Sequence, residues 1–145
     1  MTEALGVAEN ALISCFQIHS PHVVVAEQPH DGGDRPRADA VVTRVPGIAC
    51  GVAAADCGPV LFADAQAGVV GAAHAGWKGA LGGVLESTIE AMERLGAARE
   101  RIRTAIGPLI RQPSYEVSTA FVDQFLAVDP AYGRFFAAGK PDHAQ

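Results

Sequence analysis

The sequence predicts an α+β protein, a mixed β-sheet with helices packed on it. Short runs of β-branched or small apolar residues recur early in the chain, as at Val23–Val25, Ala40–Thr43 and residues 60–63. Residues 80–95 place Leu81, Val84, Leu85, Thr88, Met92 and Leu95 on one helical face. Apolar residues make up 49% of the 145, against 19% charged, which is enough to bury a core.

The elements follow in order. Residues 3–8 read as a short helix and residues 12–18 as a strand, with Val23–Val25 a second strand. Residues 29–37 (PHDGGDRPR) gather Gly, Pro and Asp and read as a loop. Ala40–Thr43 and residues 48–54 read as buried strands. Residues 60–63 and 69–73 are strands on either side of a turn at 64–68, and so short a connection makes them an antiparallel hairpin. The helix over 80–95 ends at Gly96, a natural terminator. Arg103–Ile106 reads as a strand stopped by Gly107-Pro108. Ser118 is placed to N-cap a second helix that buries Phe121, Val122, Phe125 and Leu126. Beyond Asp129-Pro130 the pattern fades, and residues 1–145 are expected to form a single domain that looks cut at both ends.

Composition narrows the function. A formal charge of −5, with only a loose basic group at Arg99, Arg101 and Arg103, speaks against a nucleic-acid partner, which needs a basic footprint. No apolar run reaches the roughly 18 residues of a membrane span, and no basic stretch precedes an apolar one near the start, so the cytoplasm is the expected compartment. Three widely spaced cysteines do not form a disulfide framework. Cys15 and Cys50 fall within strand patterns as packing residues, while His22, His30 and His143 sit in polar settings and are expected to be exposed.

Three junctions between strands and loops carry the reactive side chains: Gln17-Ile18-His19, Ala55-Asp56-Cys57-Gly58-Pro59 and His74-Ala75-Gly76-Trp77-Lys78-Gly79. His19, Cys57 and His74 are the candidate metal ligands, because two imidazoles and a thiolate suit zinc with its fourth position open for chemistry. Such a metal acidifies a bound water to a pKa of roughly 7 or polarises a substrate oxygen. No short spacing ties the three together, so plain readings stand beside the functional one: Cys57 as a small buried hydrophobe and His19 as a satisfied polar residue at a strand end, with His74 set apart by the glycines that crowd its loop before a helix. Gly76 and Gly79 flank Trp77 and Lys78 at a helix entry, where backbone amides and the Lys78 ammonium favour an anion such as phosphate. The alternative there is Trp77 in the core and Lys78 in solvent. Asp39 and Asp56 are candidates to orient a ligand histidine by hydrogen bonding, or to cap turns.

The run ADCGPVLFADAQAGVVGAAHAGWKGALGGVLESTIEAMERLGA (residues 55–97) closely resembles the YfiH family. Members of that family have been labelled multicopper polyphenol oxidoreductases, or laccases, and also purine nucleoside phosphorylases. Upstream, FQIHSPHVVV resembles the family's QVH motif and RADAVVT its ADA-x-VT strand; downstream, AIGPLIRQPSYEV is similar to its IGPCIG…YEV segment. The resemblance implies a three-layer α/β/α sandwich around a mixed sheet, with His19, Cys57 and His74 binding one zinc. It implies phosphorolysis of adenosine, inosine and methylthioadenosine, and deamination of adenosine at C6 of the purine, with Lys78 the candidate contact for phosphate. Leu109 stands where the family has a cysteine, and Arg111 where a glycine is usual. Family members are longer at both ends, so the chain resembles the middle of one.

Other readings stay beside this one. A multicopper laccase needs many histidine ligands, and five histidines are too few, although a single His₂Cys site also accepts copper. A cysteine-type hydrolase editing cell-wall precursors would use Cys57 and His74 as nucleophile and base without metal. An inactive, incomplete chain would expose sheet edges and favour self-association.

Overall fold

A computed structural model describes residues 2–30 and 33–136; part of the 29–37 loop (residues 31 and 32) and His143 lie outside the described residues. These residues fall into two compact units that divide after Leu109.

The first unit opens with helix α1 (Thr2–Leu5), then strands β1 (Leu12–Ser14), β2 (Val23–Val25), β3 (Ala40–Thr43), β4 (Ala49–Gly51), β5 (Gly58–Asp64) and β6 (Val69–Ala75). Helices α2 (Trp77–Leu81) and α3 (Val84–Arg94) and strand β7 (Arg103–Ile106) complete it. Five strands form a mixed sheet in the order β2-β3-β6-β5-β7. Within it β2 runs parallel to β3 and the other neighbours are antiparallel, including the expected β5–β6 hairpin. β1 and β4 pair separately as a parallel two-stranded sheet.

Each face of the large sheet has its own cover. On one, Val84, Ala91 and Met92 of α3 pack against Ala40, Val42, Val60, Phe62, Val69 and Ala73. On the other, Val41 and Ala72 pack with Ile13, Cys15 and Ile48 from β1, β4 and their flanks, and with Ala26 and Ala38 from the ends of the β2–β3 connection. Cys15 and Cys50 are packing residues here: burial pushes the Cys15 thiol up to about 11 and the Cys50 thiol up to about 12. Among the described residues, no helix is long and apolar enough to cross a membrane.

Three sequence expectations change in detail. The single helix over 80–95 is two helices, broken at Gly82-Gly83, where Gly83 takes φ 88°, a left-handed conformation that side-chain-bearing residues rarely adopt. The helical periodicity ran through the glycine pair because the spacing of the apolar residues is preserved across the break. The strand over 12–18 stops at Ser14, and Phe16 keeps only an isolated parallel bridge to Arg37. The strand over 48–54 ends at Gly51, because Ala53 turns its N–H and C=O to the side chain of Gln17 instead of a ladder partner. Gly96 does terminate α3, at φ 102°, with the Ala97 N–H donating to Met92 O and the Gly96 N–H to Glu93 O.

Asp64, at the end of β5, is buried and ties the hairpin to the segment after α3. Its carboxylate accepts from Ala98 N at 2.9 Å, from Arg101 Nη2 at 2.8 Å, and from the N–H groups of Gln66 and Ala67 in the turn. The Ala98 N–H and the Arg101 guanidinium hold its pKa down at about 2. A depressed carboxylate stabilises the fold in full above the unfolded value of about 4 and loses that contribution as pH falls toward 2. Asp64→Asn is therefore expected to lower the thermal midpoint at pH 6, with the gap to wild type closing between pH 4 and pH 2. A gap that stays constant over that range would show that the ionised form contributes nothing.

In the second unit, the Ser118 hydroxyl accepts from Phe121 N at 3.2 Å, the expected cap of helix α4 (Thr119–Val128). Phe121, Val122, Phe125 and Leu126 are half-buried rather than fully buried. The two phenylalanines pack edgewise or tilted among Tyr115, Tyr132 and Phe136. A 3₁₀ turn at Pro130–Phe135 follows, where the sequence carried no clear pattern.

Candidate metal centre

His19, Cys57 and His74 come together although 55 residues separate the first from the last. One donor atom from each lies within 4.8 Å of the other two. Cys57 Sγ is 4.0 Å from His19 Nε2, and the two imidazoles meet edge to face with centroids 4.9 Å apart. His74 lies near the end of β6 and is buried, Cys57 immediately precedes β5 and is half-buried, and His19 lies on an exposed turn after β1. The group is thus anchored on the sheet side and open on the other.

Asp39 organises the turn and the buried histidine together. It immediately precedes β3, is fully buried, and its two oxygens accept five hydrogen bonds. Oδ1 accepts from His19 N and His74 Nδ1, both at 2.9 Å. Oδ2 accepts from Ile18 N at 3.1 Å, Ser20 N at 2.7 Å and Ser20 Oγ at 2.9 Å. Burial pushes the carboxyl pKa up, but the donors from Ser20, His74 and Ile18 outweigh it and hold it down at about 2. An ionised carboxylate can only accept, so His74 carries its proton on Nδ1 and leaves the Nε2 lone pair free. The three consecutive N–H groups wrapped on Asp39 also hold His19 at φ 59°, an uncommon left-handed conformation for a residue with a side chain.

Two residues support the site in roles the sequence did not suggest. Gln17 grips Ala53 at both ends of its amide, each at 2.8 Å, and so joins the turn bearing His19 to the segment leading to Cys57. Gly76 lies where a Cβ would overlap His19 Cδ2 and stand 3.1 Å from His19 Nε2 and 3.3 Å from Cys57 Sγ. The glycine-rich spacing around His74 signalled the second; nothing local signalled the first, whose partner is 36 residues away.

The remaining candidates divide. Asp39 reaches His74, whereas Asp56 is exposed. Lys78 is exposed in the first turn of α2, with its ammonium 5.4 Å from the centroid of the Trp77 ring. Because α2 ends at Leu81, the helix entry behind Lys78 is a five-residue one and its dipole is small. His22 is exposed as expected, while His30 is half-buried. Leu109 packs near Gly58.

The donor set suits a single zinc or copper ion. Metal–nitrogen and metal–sulfur bonds of about 2.0–2.3 Å in a tetrahedral site require donor separations of roughly 3.3–3.6 Å, and these donor atoms lie within 4.8 Å of one another. Among the described residues, no second cluster of His, Cys, Asp or Glu could hold a metal ion.

Fold and site together define a class: an α+β protein in which two strands of the mixed sheet and the turn between β1 and β2 bring one thiol and two imidazoles into a group that could hold one metal ion. All of residues 1–145 match the family described as multi-copper polyphenol oxidoreductase laccase, and the chain belongs to that family, the YfiH family its motifs resemble. It is 43% identical over 127 residues to a purine nucleoside phosphorylase of Deinococcus radiodurans, covering 88% of this chain and 49% of that protein. It is 39% identical over 128 residues to an adenosine deaminase from an unknown prokaryotic organism, covering 83% of this chain and 49% of that one. The crystal structure of a Neisseria meningitidis protein superposes with a TM-score of 0.81 at 37% identity, over 96% of this chain and 55% of that one. The chain spans about half the length of the curated relatives it matches.

Proposed function

We propose that this chain carries the zinc-binding core of a purine nucleoside phosphorylase acting on adenosine, inosine and methylthioadenosine, with adenosine deaminase activity beside it. The observation that carries the reading is the convergence of His19, Cys57 and His74, with the His74 tautomer set by a buried carboxylate. The names borne by its relatives supply the substrate class.

In this reading His19, Cys57 and His74 would hold the metal, which would supply Lewis-acid polarisation on the substrate side. The protein supplies rigidity. Asp39 keeps the Nε2 lone pair of His74 aimed into the site, Gln17 fixes the approach to Cys57, and Gly76 leaves room for the His19 ring. Lys78, charged and solvent-facing beside the site loop, is the proposed contact for phosphate. Zinc is favoured over an electron-transfer copper because such a copper takes a methionine as weak axial ligand. Among the described residues the one methionine, Met92, lies on α3 and is buried in the core against the sheet.

A thiol hydrolase is the second reading; His74 was the expected base for Cys57, but the imidazole the structure brings to its Sγ is that of His19, with Nε2 at 4.0 Å. One experiment separates the two. The chain is purified without chelator, its metal content is measured, and adenosine with phosphate is assayed for adenine and inosine. About one zinc per chain and formation of either product, both abolished by a chelator and restored by zinc, is the result expected. A well-folded protein that binds no zinc, and whose Cys57 is rapidly alkylated, would overturn the zinc reading in favour of the hydrolase.

A further inference from the structure

We infer that Asp39 is the positioning residue that preassembles the site, holding both histidines in ligand geometry before any metal arrives. The inference rests on the metal-site reading above and adds to it a distinct role for a residue that touches neither metal nor substrate.

The argument is one of donor and acceptor counting. Five donors converge on two oxygens, and they divide by atom: His19 N and His74 Nδ1 on Oδ1, then Ile18 N, Ser20 N and Ser20 Oγ on Oδ2. Only a group with two acceptor ends satisfies both sets. The Oδ1 pair is the functional one, since a single atom fixes the tautomer of one ligand and the backbone of the other. The Oδ2 set closes the turn that keeps His19 left-handed. Asp39 itself is anchored through its backbone, its carbonyl accepting from His74 N at 2.7 Å and its N–H donating to His22 O at 3.1 Å. The carboxylate therefore cannot drift away from either histidine without breaking the edge of the β3–β6 ladder.

An asparagine has one acceptor end. With its oxygen on the Oδ2 side, its NH₂ faces His74 Nδ1 and forces the proton onto Nε2, the atom needed for the metal. With its oxygen on the Oδ1 side, the NH₂ faces the three donors of Ile18 and Ser20, and the turn holding His19 opens. Either orientation spoils one ligand and leaves the other residues in place. The same carboxylate on a longer arm does not repair this, because Asp39 is fully enclosed.

The test uses the whole 145-residue chain and Co²⁺ as a spectroscopic probe of zinc geometry. The affinity of Asp39→Asn for Co²⁺ is expected to fall about 10–100-fold, the cost typical of removing a hydrogen-bond partner behind a metal ligand. The visible d–d bands are expected to weaken and shift as the site departs from a tetrahedron. Unchanged affinity and an unchanged cobalt spectrum in a folded Asp39→Asn protein would overturn the inference. A second measurement does not depend on how the variant folds: ¹⁵N–¹H correlation of the imidazoles in metal-free wild type. His74 protonated on Nδ1 supports preassembly, and His74 protonated on Nε2 overturns it. Failure of the underlying reading looks different, because wild type would then bind no Co²⁺ at all while its His74 tautomer stayed the same.

Discussion

Cys57→Ala and His74→Ala are each expected to strip zinc from the purified chain and abolish product formation from adenosine. The loss in affinity should exceed the roughly 10–100-fold that follows removal of a partner lying behind a ligand, because a bond to the metal itself is lost. The two variants should differ in their effect on the fold. Cys57 is half-buried at the start of β5, so its removal leaves the sheet intact and the melting curve close to that of wild type. His74 is buried and bonded to a buried carboxylate, so its removal strands one of the Asp39 contacts. A hydrogen bond to a charged group contributes about 1.5–3 kcal/mol, and His74→Ala should lower stability by an amount of that order. Chelator competition and thermal melts of the same preparations read both effects. Full zinc occupancy in either variant would remove that residue from the ligand set.

Gly76→Ala is expected to have nearly as large an effect on zinc through one added methyl group. Gly76 has φ −68° and ψ 158°, a backbone conformation alanine adopts freely, so strain is not the cause. The cause is space. The added Cβ would overlap His19 Cδ2 and crowd both His19 Nε2 and Cys57 Sγ. Backbone atoms cannot give way there, but the His19 ring is exposed and can swing outward. The fold should therefore survive, with a melting midpoint near that of wild type, while zinc affinity falls on the order of 100-fold or more. Wild-type zinc affinity in Gly76→Ala would mean that the His19 ring has another productive orientation.

The parts of the fold legible in the sequence are those whose determinants are local. Ala40–Thr43 and Arg103–Ile106 are β-branched or terminated runs and appear with the bounds the sequence suggested. Ser118 caps α4 through its hydroxyl and Gly96 ends α3 through its backbone N–H, each by a contact within a few residues. What the sequence hid was non-local. The β1–β4 pairing joins residues 37 apart, and nothing in either three-residue strand names its partner. The glycine pair at 82–83 was hidden for another reason: the apolar face of residues 80–95 is continuous whether or not the backbone breaks, so periodicity alone could not see it.

The candidate site shows the same division. His19, Cys57 and His74 were visible as residue types at strand ends, but their convergence depends on strand order, which three separate motifs do not encode. Asp39 and Asp56 looked alike in sequence, each an aspartate beside a strand of small residues. Burial distinguishes them, with Asp39 fully enclosed and Asp56 in solvent. The role of Gln17 was hidden because its two bonds to Ala53 depend on the end of a strand that was expected to continue.

The ladder between β3 and β6 is built largely from small side chains, with Ala40 opposite Ala73, Val41 opposite Ala72 and Val42 opposite Gly71. Burial of both faces already specifies the alignment, since Val42 packs in one core and Val41 in the other and a slip of one residue would exchange them. The same slip would turn His74 to the opposite face of the sheet and leave the Asp39 carboxylate buried without a principal partner. The polar pair at the end of the ladder therefore adds an electrostatic penalty for misalignment to the steric one set by the core.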